Sequence, residues 1–387
     1  MPRNRETGSL RQGFTTGSAA AAAAKAALLL LLGGEAASSV DIPLPGGDGG
    51  RMTIPVEAAT LSDGGARAVV VKDAGDDPDA THGARIGCVA VIEGTDGREP
   101  PAAIGLRPLE SRAGGAEIVI EGGKGVGRVT LPGLPVPVGM AAINPAPREQ
   151  IGRAAREALA GAADVTRVLL TIEVEGGEEI ARRTLNPRLG IVGGISILGT
   201  QGIVKPFSHA AWEATIDSGL AVARAAGIPT AAFSTGRRSE RLLIGRRPEL
   251  PELAFVQAAD FFAHSLRRAA SLGFEEIVWG CFFGKLAKMA QGMPYTHAHA
   301  EPVDFSLLAE LAGQAGADLE TRARVARANT ARHALEIVPA GPLREGFAAR
   351  TAAKALGAAR SHAGAGPRLS IVCFGYESGV LAEAYAS

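Results

Sequence analysis

Beyond residue 190 the chain alternates strand patterns with helix patterns, and that rhythm restricts its second half to βα units around a parallel sheet. GIVGGISIL (190–198) reads as a strand leading through a glycine/threonine turn into a helix with Trp212, Ile216 and Leu220 on one face. PTAAFST is strand, 253–272 largely helix, EEIVWGC strand and GKLAKMAQ helix. RLSIVCFG is one more strand, with a last helix behind it.

Before residue 190 strands cluster instead. Thr15-Thr16-Gly17-Ser18 offers capping hydroxyls ahead of the apolar run Ala19 to Leu32, and Gly33-Gly34 closes it. That run is too short for a bilayer and holds Lys25, so a core helix is expected. Strand patterns follow at 51–57, 67–73, 84–94 and 116–123. Asn144-Pro145-Ala146-Pro147 opens a helix carrying Ile151, Ala155 and Leu159, and RVLLTIEVEGG returns as strand. The pattern predicts an α+β domain over 1–190 and an α/β domain with a short parallel sheet over 191–387, a division that a length of 387 residues favours.

Charge and cysteine narrow the function classes. Lys+Arg and Asp+Glu both number 40, without the basic excess of a nucleic-acid binder or of a protein held to membranes by a basic face. Cys88, Cys281 and Cys373 each sit in an apolar run and no CxxC occurs, which reads as buried, inert thiols. MPRNRETGSL has no apolar signal core, so a soluble cytoplasmic protein is expected.

Several clusters invite sharper readings. EGGKGVGRVT (121–130) lacks the Lys-Ser/Thr that a P-loop needs after its last glycine. GIVGGISILGT has the wrong spacing for a dinucleotide fingerprint, and the next strand, ending at Ser234-Thr235, offers no acid, which makes a nicotinamide enzyme the weaker option. The loop from Lys72 to His82 packs Asp73, Asp76, Asp77 and Asp79 together, but not at EF-hand spacing; a solvated turn competes with a functional site. His297 and His299 lack a third ligand, so hydrogen bonding outweighs metal binding.

The blocks LRQGFTTGSAAAAAAKAA (10–27), VKDAGDDPDATHGA (71–84), IEGGKGVGRVTLPGL (120–134), AINPAPR (142–148), RTLNPRLGIVGGISILGTQGIVKPFS (183–208), FSTGRRSE (233–240) and FGKLAKMAQG (283–292) carry a resemblance. In them the chain resembles the cobalt-precorrin-5B C1-methyltransferase family of oxygen-independent cobalamin synthesis. It departs from that pattern at GCFFGKL (280–286) and at Thr296-His297-Ala298.

The resemblance implies an N-terminal domain like a permuted ribosomal-S5-type fold and a C-terminal α/β domain that binds the donor. It implies methylation of cobalt-precorrin-5B at C1 by S-adenosylmethionine, giving cobalt-precorrin-6A. Cobalt then enters only as part of the substrate, and no protein metal site is expected. Self-association stays open. The runners-up are a non-catalytic tetrapyrrole carrier and a nicotinamide-dependent reductase of the same pathway.

Site residues follow within the matching blocks. Gly190, Gly193, Gly194 and Thr200 are expected to let the backbone approach the donor, so that Gly194→Val blocks it and spares the fold. Asp73, Asp76 and Asp77 are expected in the active site, holding the surroundings of the sulfonium or a ring proton. Arg188, Lys205, Arg237, Arg238, Lys285 and Lys288 are expected at strand or helix ends, clamping substrate carboxylates.

Overall fold

The computed structural model describes residues 10–46, 49–62, 64–93, 116–297, 301–377 and 379–386. It is a mixed α/β chain of two compact units, Met1–Ser208 and His209–Ser387. The first unit is built on the helix Thr16–Gly33. Thr15 caps it by accepting the Ser18 amide on its side chain, and Gly34 ends it in the left-handed region, φ 75°. Its alanines are buried on every side, so the backbone of this helix lies close to its neighbours. The helix has the length and apolarity to cross a membrane, yet 72% of it is buried inside the fold.

Around it lie the helix Pro145–Ala158 and a five-stranded sheet in the order 58–62, 65–71, 85–93, 167–174, 117–122. The pairings are antiparallel except the last, where Arg167–Val174 runs parallel to Glu117–Gly122. Ile86, Cys88 and Ala90 stand opposite Val174, Ile172 and Leu170 on the core face.

Residues 191–208 pack with this unit, not with the second, which moves the boundary eighteen residues on from the change in sequence rhythm (208 against 190). The segment read as one strand, 190–198, is broken at Gly193: Ile191–Val192 pairs with Arg128–Val129, and Gly194–Ile195 with Gly125–Val126. Ile203–Val204 pairs with Gly13–Phe14. Thr16 Oγ1 accepts from the Leu198 amide (2.8 Å) and Ser18 Oγ donates to the Gly202 carbonyl (2.8 Å), stitching the segment to the capped helix end.

The second unit has a five-stranded sheet in the order 255–257, 230–234, 276–282, 368–374, 380–386. The first four strands are parallel and the last antiparallel. The earliest strand lies second, so the winding reverses between Thr230–Ser234 and Glu276–Phe282, the place where doubly wound sheets open a crevice at their strand C-termini.

The helix read over 253–272 begins only at Phe262. Ahead of it sits the three-residue strand Phe255–Gln257, too short to show a period. The element behind Arg368–Phe374 is the strand Val380–Ala386, not a helix. Ile216 and Leu220 are buried as expected, whereas Trp212 is exposed. Cys88, Cys281 and Cys373 are all buried, and burial pushes the Cys373 thiol up to about 12.

Candidate functional site

The strand ends of the second unit hold its richest collection of chemistry. After Ser234 the chain turns through Thr235 and Gly236 into the helix Arg237–Arg246. Ser239 fastens that turn, its Oγ accepting from the Thr235 amide (3.2 Å) and donating to the Gly236 carbonyl (2.9 Å). The helix start carries no side-chain cap, and a Cβ on Gly236 would meet nothing within 4 Å. Open space over a helix N-terminus with free amides suits an anionic or polar ligand group.

Beside it the strand Phe255–Gln257 ends, and the Ala258 amide donates to the Ser234 carbonyl (2.8 Å). Ala259 sits at φ 47°, in the left-handed region that alanine avoids. Asp260 follows. Its Oδ1 accepts from Lys285 Nζ and from Thr296 Oγ1 (3.1 Å), while the Thr296 amide donates to the Asp260 carbonyl (2.9 Å).

Farther along the rim two aromatic rings stack, Phe282 on Tyr376, with centroids 5.4 Å apart. Arg238 lies over the Phe282 ring at 5.0 Å and Arg332 over the Tyr376 ring at 4.7 Å. Burial raises the pKa of the Tyr376 hydroxyl.

The six expected cations are divided between the two units. Arg188 and Lys205 belong to the first unit, not to the ends of parallel strands. Lys288 is buried, and its Nζ donates to the carbonyls of His297 (2.5 Å) and Glu301 (3.1 Å), so it fastens a loop and presents no charge to a ligand. Its pKa is drawn down by burial and then by Lys285. Lys285 is engaged with Asp260 and the Thr296 carbonyl. That leaves Arg237, exposed and without a hydrogen-bond or ion-pair partner among the described residues, and Arg238, which also donates to the Tyr376 carbonyl.

The expected donor glycines lie in the first unit, and packing accounts for two of them. A Cβ on Gly194 would stand 2.0 Å from the Gly125 carbonyl oxygen, and one on Gly190 2.4 Å from Leu131. The expectation that Gly194→Val spares the fold is therefore overturned, because backbone has to move. Gly193 and Thr200 are exposed.

The acidic loop is a clip. Arg11 grips both oxygens of Asp73, and its amide donates to Asp76 Oδ2 (2.6 Å). Asp77 Oδ1 accepts from the Phe207 amide (2.9 Å), and Asp79 pairs with the buried Lys72 (2.6 Å). The guanidinium of Arg11 holds the Asp73 carboxyl below the usual carboxylate range. No group of three His, Cys, Asp or Glu able to hold a metal occurs among the described residues, and His299 lies outside them. His297 stacks its ring on Tyr295, 5.8 Å between centroids.

Asp260, Tyr376 and Arg332 were not singled out in the sequence, and Thr296 and Phe282 were met only inside the two segments that depart from the family pattern. The signal for Asp260 was hidden because the strand before it lay within a segment read as helix.

Comparison with known proteins gives a family. The model described as CbiD matches residues 3–206, and the one described as CbiD, C-terminal domain, matches 295–385. A cobalt-precorrin-5B C(1)-methyltransferase of Nitratidesulfovibrio vulgaris is 50% identical over 341 residues, 87% of this chain and 83% of its own length. One of Geobacillus kaustophilus is 47% identical over 323 residues, 84% and 81% of the two chains. The crystal structure of a cobalamin biosynthesis protein (cbiD) from Archaeoglobus fulgidus is 27% identical, with a TM-score of 0.38 over 72% of this chain and 79% of that one.

Proposed function

Since the chain belongs to the CbiD family, we propose that it methylates cobalt-precorrin-5B at C1, taking the methyl group from S-adenosylmethionine and giving cobalt-precorrin-6A. The observation that carries this reading is the 50% identity, spread over 87% of the chain, with a relative named for that methyl transfer. The donor supplies a methyl group already activated by its sulfonium, and the macrocycle supplies the attacking carbon. What remains for the protein is to hold, orient and dry the two, and orientation alone is worth ~7–11 kcal/mol in favourable cases.

The residues at the second unit's strand ends fit that task. The turn at Thr235 and Gly236 leaves room for the donor, and Arg237 with Arg238 offers charge to the substrate's carboxylates. In the first unit, Gly193 and Thr200 are read as donor-facing positions and Arg188 and Lys205 as substrate-facing ones. Asp73, Asp76 and Asp77 are read as an ionised scaffold near the reacting groups: Asp73, held down by Arg11, carries no proton at neutral pH. The first unit is read as the permuted S5-type fold of the resemblance. Burial of the helix Thr16–Gly33 supports a core helix over a membrane span, and the enzyme is read as soluble and cytoplasmic.

Titration calorimetry with S-adenosylhomocysteine and with NADPH, followed by incubation with cobalt-precorrin-5B and S-adenosylmethionine and mass spectrometry, tests the reading. Binding of S-adenosylhomocysteine and gain of one methyl group by the corrin are expected. Corrin binding alone points to a carrier, and binding of NADPH to a reductase.

A further inference from the structure

We propose that Asp260 is the acceptor for the ribose hydroxyls of the methyl donor's nucleoside, bound through Oδ2, and that Lys285 and Thr296 position it. The inference rests on the donor reading above and names one contact within it.

Three features of the carboxylate point this way. Lys285 Nζ and Thr296 Oγ1 both bond Oδ1, and no group of the described protein bonds Oδ2. The side chain keeps 16% of its surface exposed. Asp260 is thus held by one oxygen and presents the other. Nor does it cap the helix behind it: Phe261 takes the capping position, no side chain caps, and only the Asp260 carbonyl accepts the Phe262 amide (3.0 Å). The commonest structural use of an aspartate ahead of a helix is not made here.

The backbone is arranged for the same end. Ala259 and Phe207 are the two non-glycine residues with positive φ among the described residues, and Ala259 immediately precedes Asp260. A residue held there is strained and persists only when its surroundings enforce it. Here the enforcers are Thr296, whose amide and hydroxyl both bond Asp260, and Lys285, which bonds Asp260 and the Thr296 carbonyl (3.1 Å). Thr296 is fully buried.

Placement supplies the ligand chemistry. Asp260 follows the strand Phe255–Gln257, which lies directly beside the strand that ends in the Thr235–Gly236 turn. The Ala258–Ser234 bond ties the two strand ends together, so the open turn and the free carboxylate oxygen share one rim. A carboxylate accepts and never donates, and a vicinal diol offers two donors. An uncapped helix start beside such an acceptor is the pattern by which doubly wound sheets take nucleosides.

The test sets ligand changes against protein changes, with calorimetric affinity as the readout. Wild-type protein is titrated with S-adenosylhomocysteine and with its 2′-deoxy and 3′-deoxy analogues; the Asp260→Asn and Asp260→Ala variants are titrated with the same three. Removal of a hydroxyl should weaken wild-type binding by about tenfold to a hundredfold, the range for a hydrogen bond to a charged group. In Asp260→Ala the three ligands should bind alike, and Asp260→Asn should fall between. Equal wild-type affinity for all three ligands overturns the assignment while leaving the donor reading standing, and so does discrimination that survives in Asp260→Ala. Absence of any S-adenosylhomocysteine binding removes both. Should Asp260→Ala fail to fold, the shape-preserving Asp260→Asn takes its place, and discrimination there as large as in wild type overturns the assignment.

Discussion

In the first unit, Gly125, Gly177 and Gly194 are filled against protein; in the second, Gly236 at the end of a strand faces open space. A Cβ on Gly125 would stand 1.9 Å from the Val174 carbonyl oxygen, and one on Gly177 2.1 Å from that of Gly125. Gly194 closes on Gly125 in the same way. These glycines let three chain segments cross at backbone distance, so they serve the fold. Gly236 has nothing within 4 Å of the place a Cβ would occupy, so packing does not account for its lack of a side chain. Runs of glycine look alike in sequence; what lies over each one separates packing from binding.

The largest effect should come from breaking that contrast directly. Gly194→Ala should destabilise the first unit by roughly 3 kcal/mol or more, since backbone and not a flexible side chain must yield. Gly236→Ala has extended backbone and no clash, and should keep stability within about 1 kcal/mol of wild type while weakening S-adenosylhomocysteine about tenfold. The two units can be followed separately. Both tryptophans, Trp212 and Trp279, and all three tyrosines lie after residue 208, so intrinsic fluorescence reports the second unit alone. Hydrogen exchange in Thr16–Gly33 reports the first. A Gly194→Ala protein with unchanged exchange there would show that the crossing is not as tight as described.

A smaller effect is expected at the rim. Arg237→Ala removes an exposed guanidinium and should cost about 0.2–1 kcal/mol in corrin binding. Arg238→Ala also removes the charge over Phe282 and the bond to the Tyr376 carbonyl, and should cost more. Together they should raise the Michaelis constant for cobalt-precorrin-5B about tenfold and leave that for S-adenosylmethionine nearly unchanged. A rise in the donor constant alone would move these arginines to the donor's side of the site.

The same contrast explains what was legible in the sequence. The capped alanine helix was readable because its signals are local: Thr15 ahead, an apolar run, Gly34 behind. The parallel strands 230–234, 276–282 and 368–374 were readable as apolar runs. Gly194 was misread because its partner, Gly125, is far away in the chain and only the fold brings them together. Lys288 was misread because its period on the helix says which face it shares with Lys285, not that the loop carbonyls of His297 and Glu301 cover it. Asp260 was missed because a three-residue strand carries no periodic signal, and without the strand the acid had no address.

The smallest effect separates the two units by acid. Glu157 in the first unit accepts from Arg51 through both oxygens (2.9 Å each) and from Lys25 (2.6 Å). Hydrogen bonds from Arg51 and then Lys25, against partial burial, push its carboxyl down to about 2. A folded-state value below the unfolded one means that the stabilisation is fully present above the unfolded value, about 4.5, and is lost as pH falls towards about 2. The side chain is 34% exposed, so solvent screening reduces the contribution to on the order of 1 kcal/mol. Near neutral pH, Glu157→Gln should therefore speed exchange of the Thr16–Gly33 amides about fivefold where they exchange through unfolding of the first unit. As the pH is lowered through 4 towards about 2, wild type and variant should converge. Tryptophan fluorescence should stay the same in both, because the described partners of Glu157 and Arg51, namely Lys25 and Asp41, all lie in the first unit. A gap that persists unchanged at the acid end would mean that the ionised carboxylate is not what fastens Lys25 and Arg51, and that the glutamate acts through its packing alone.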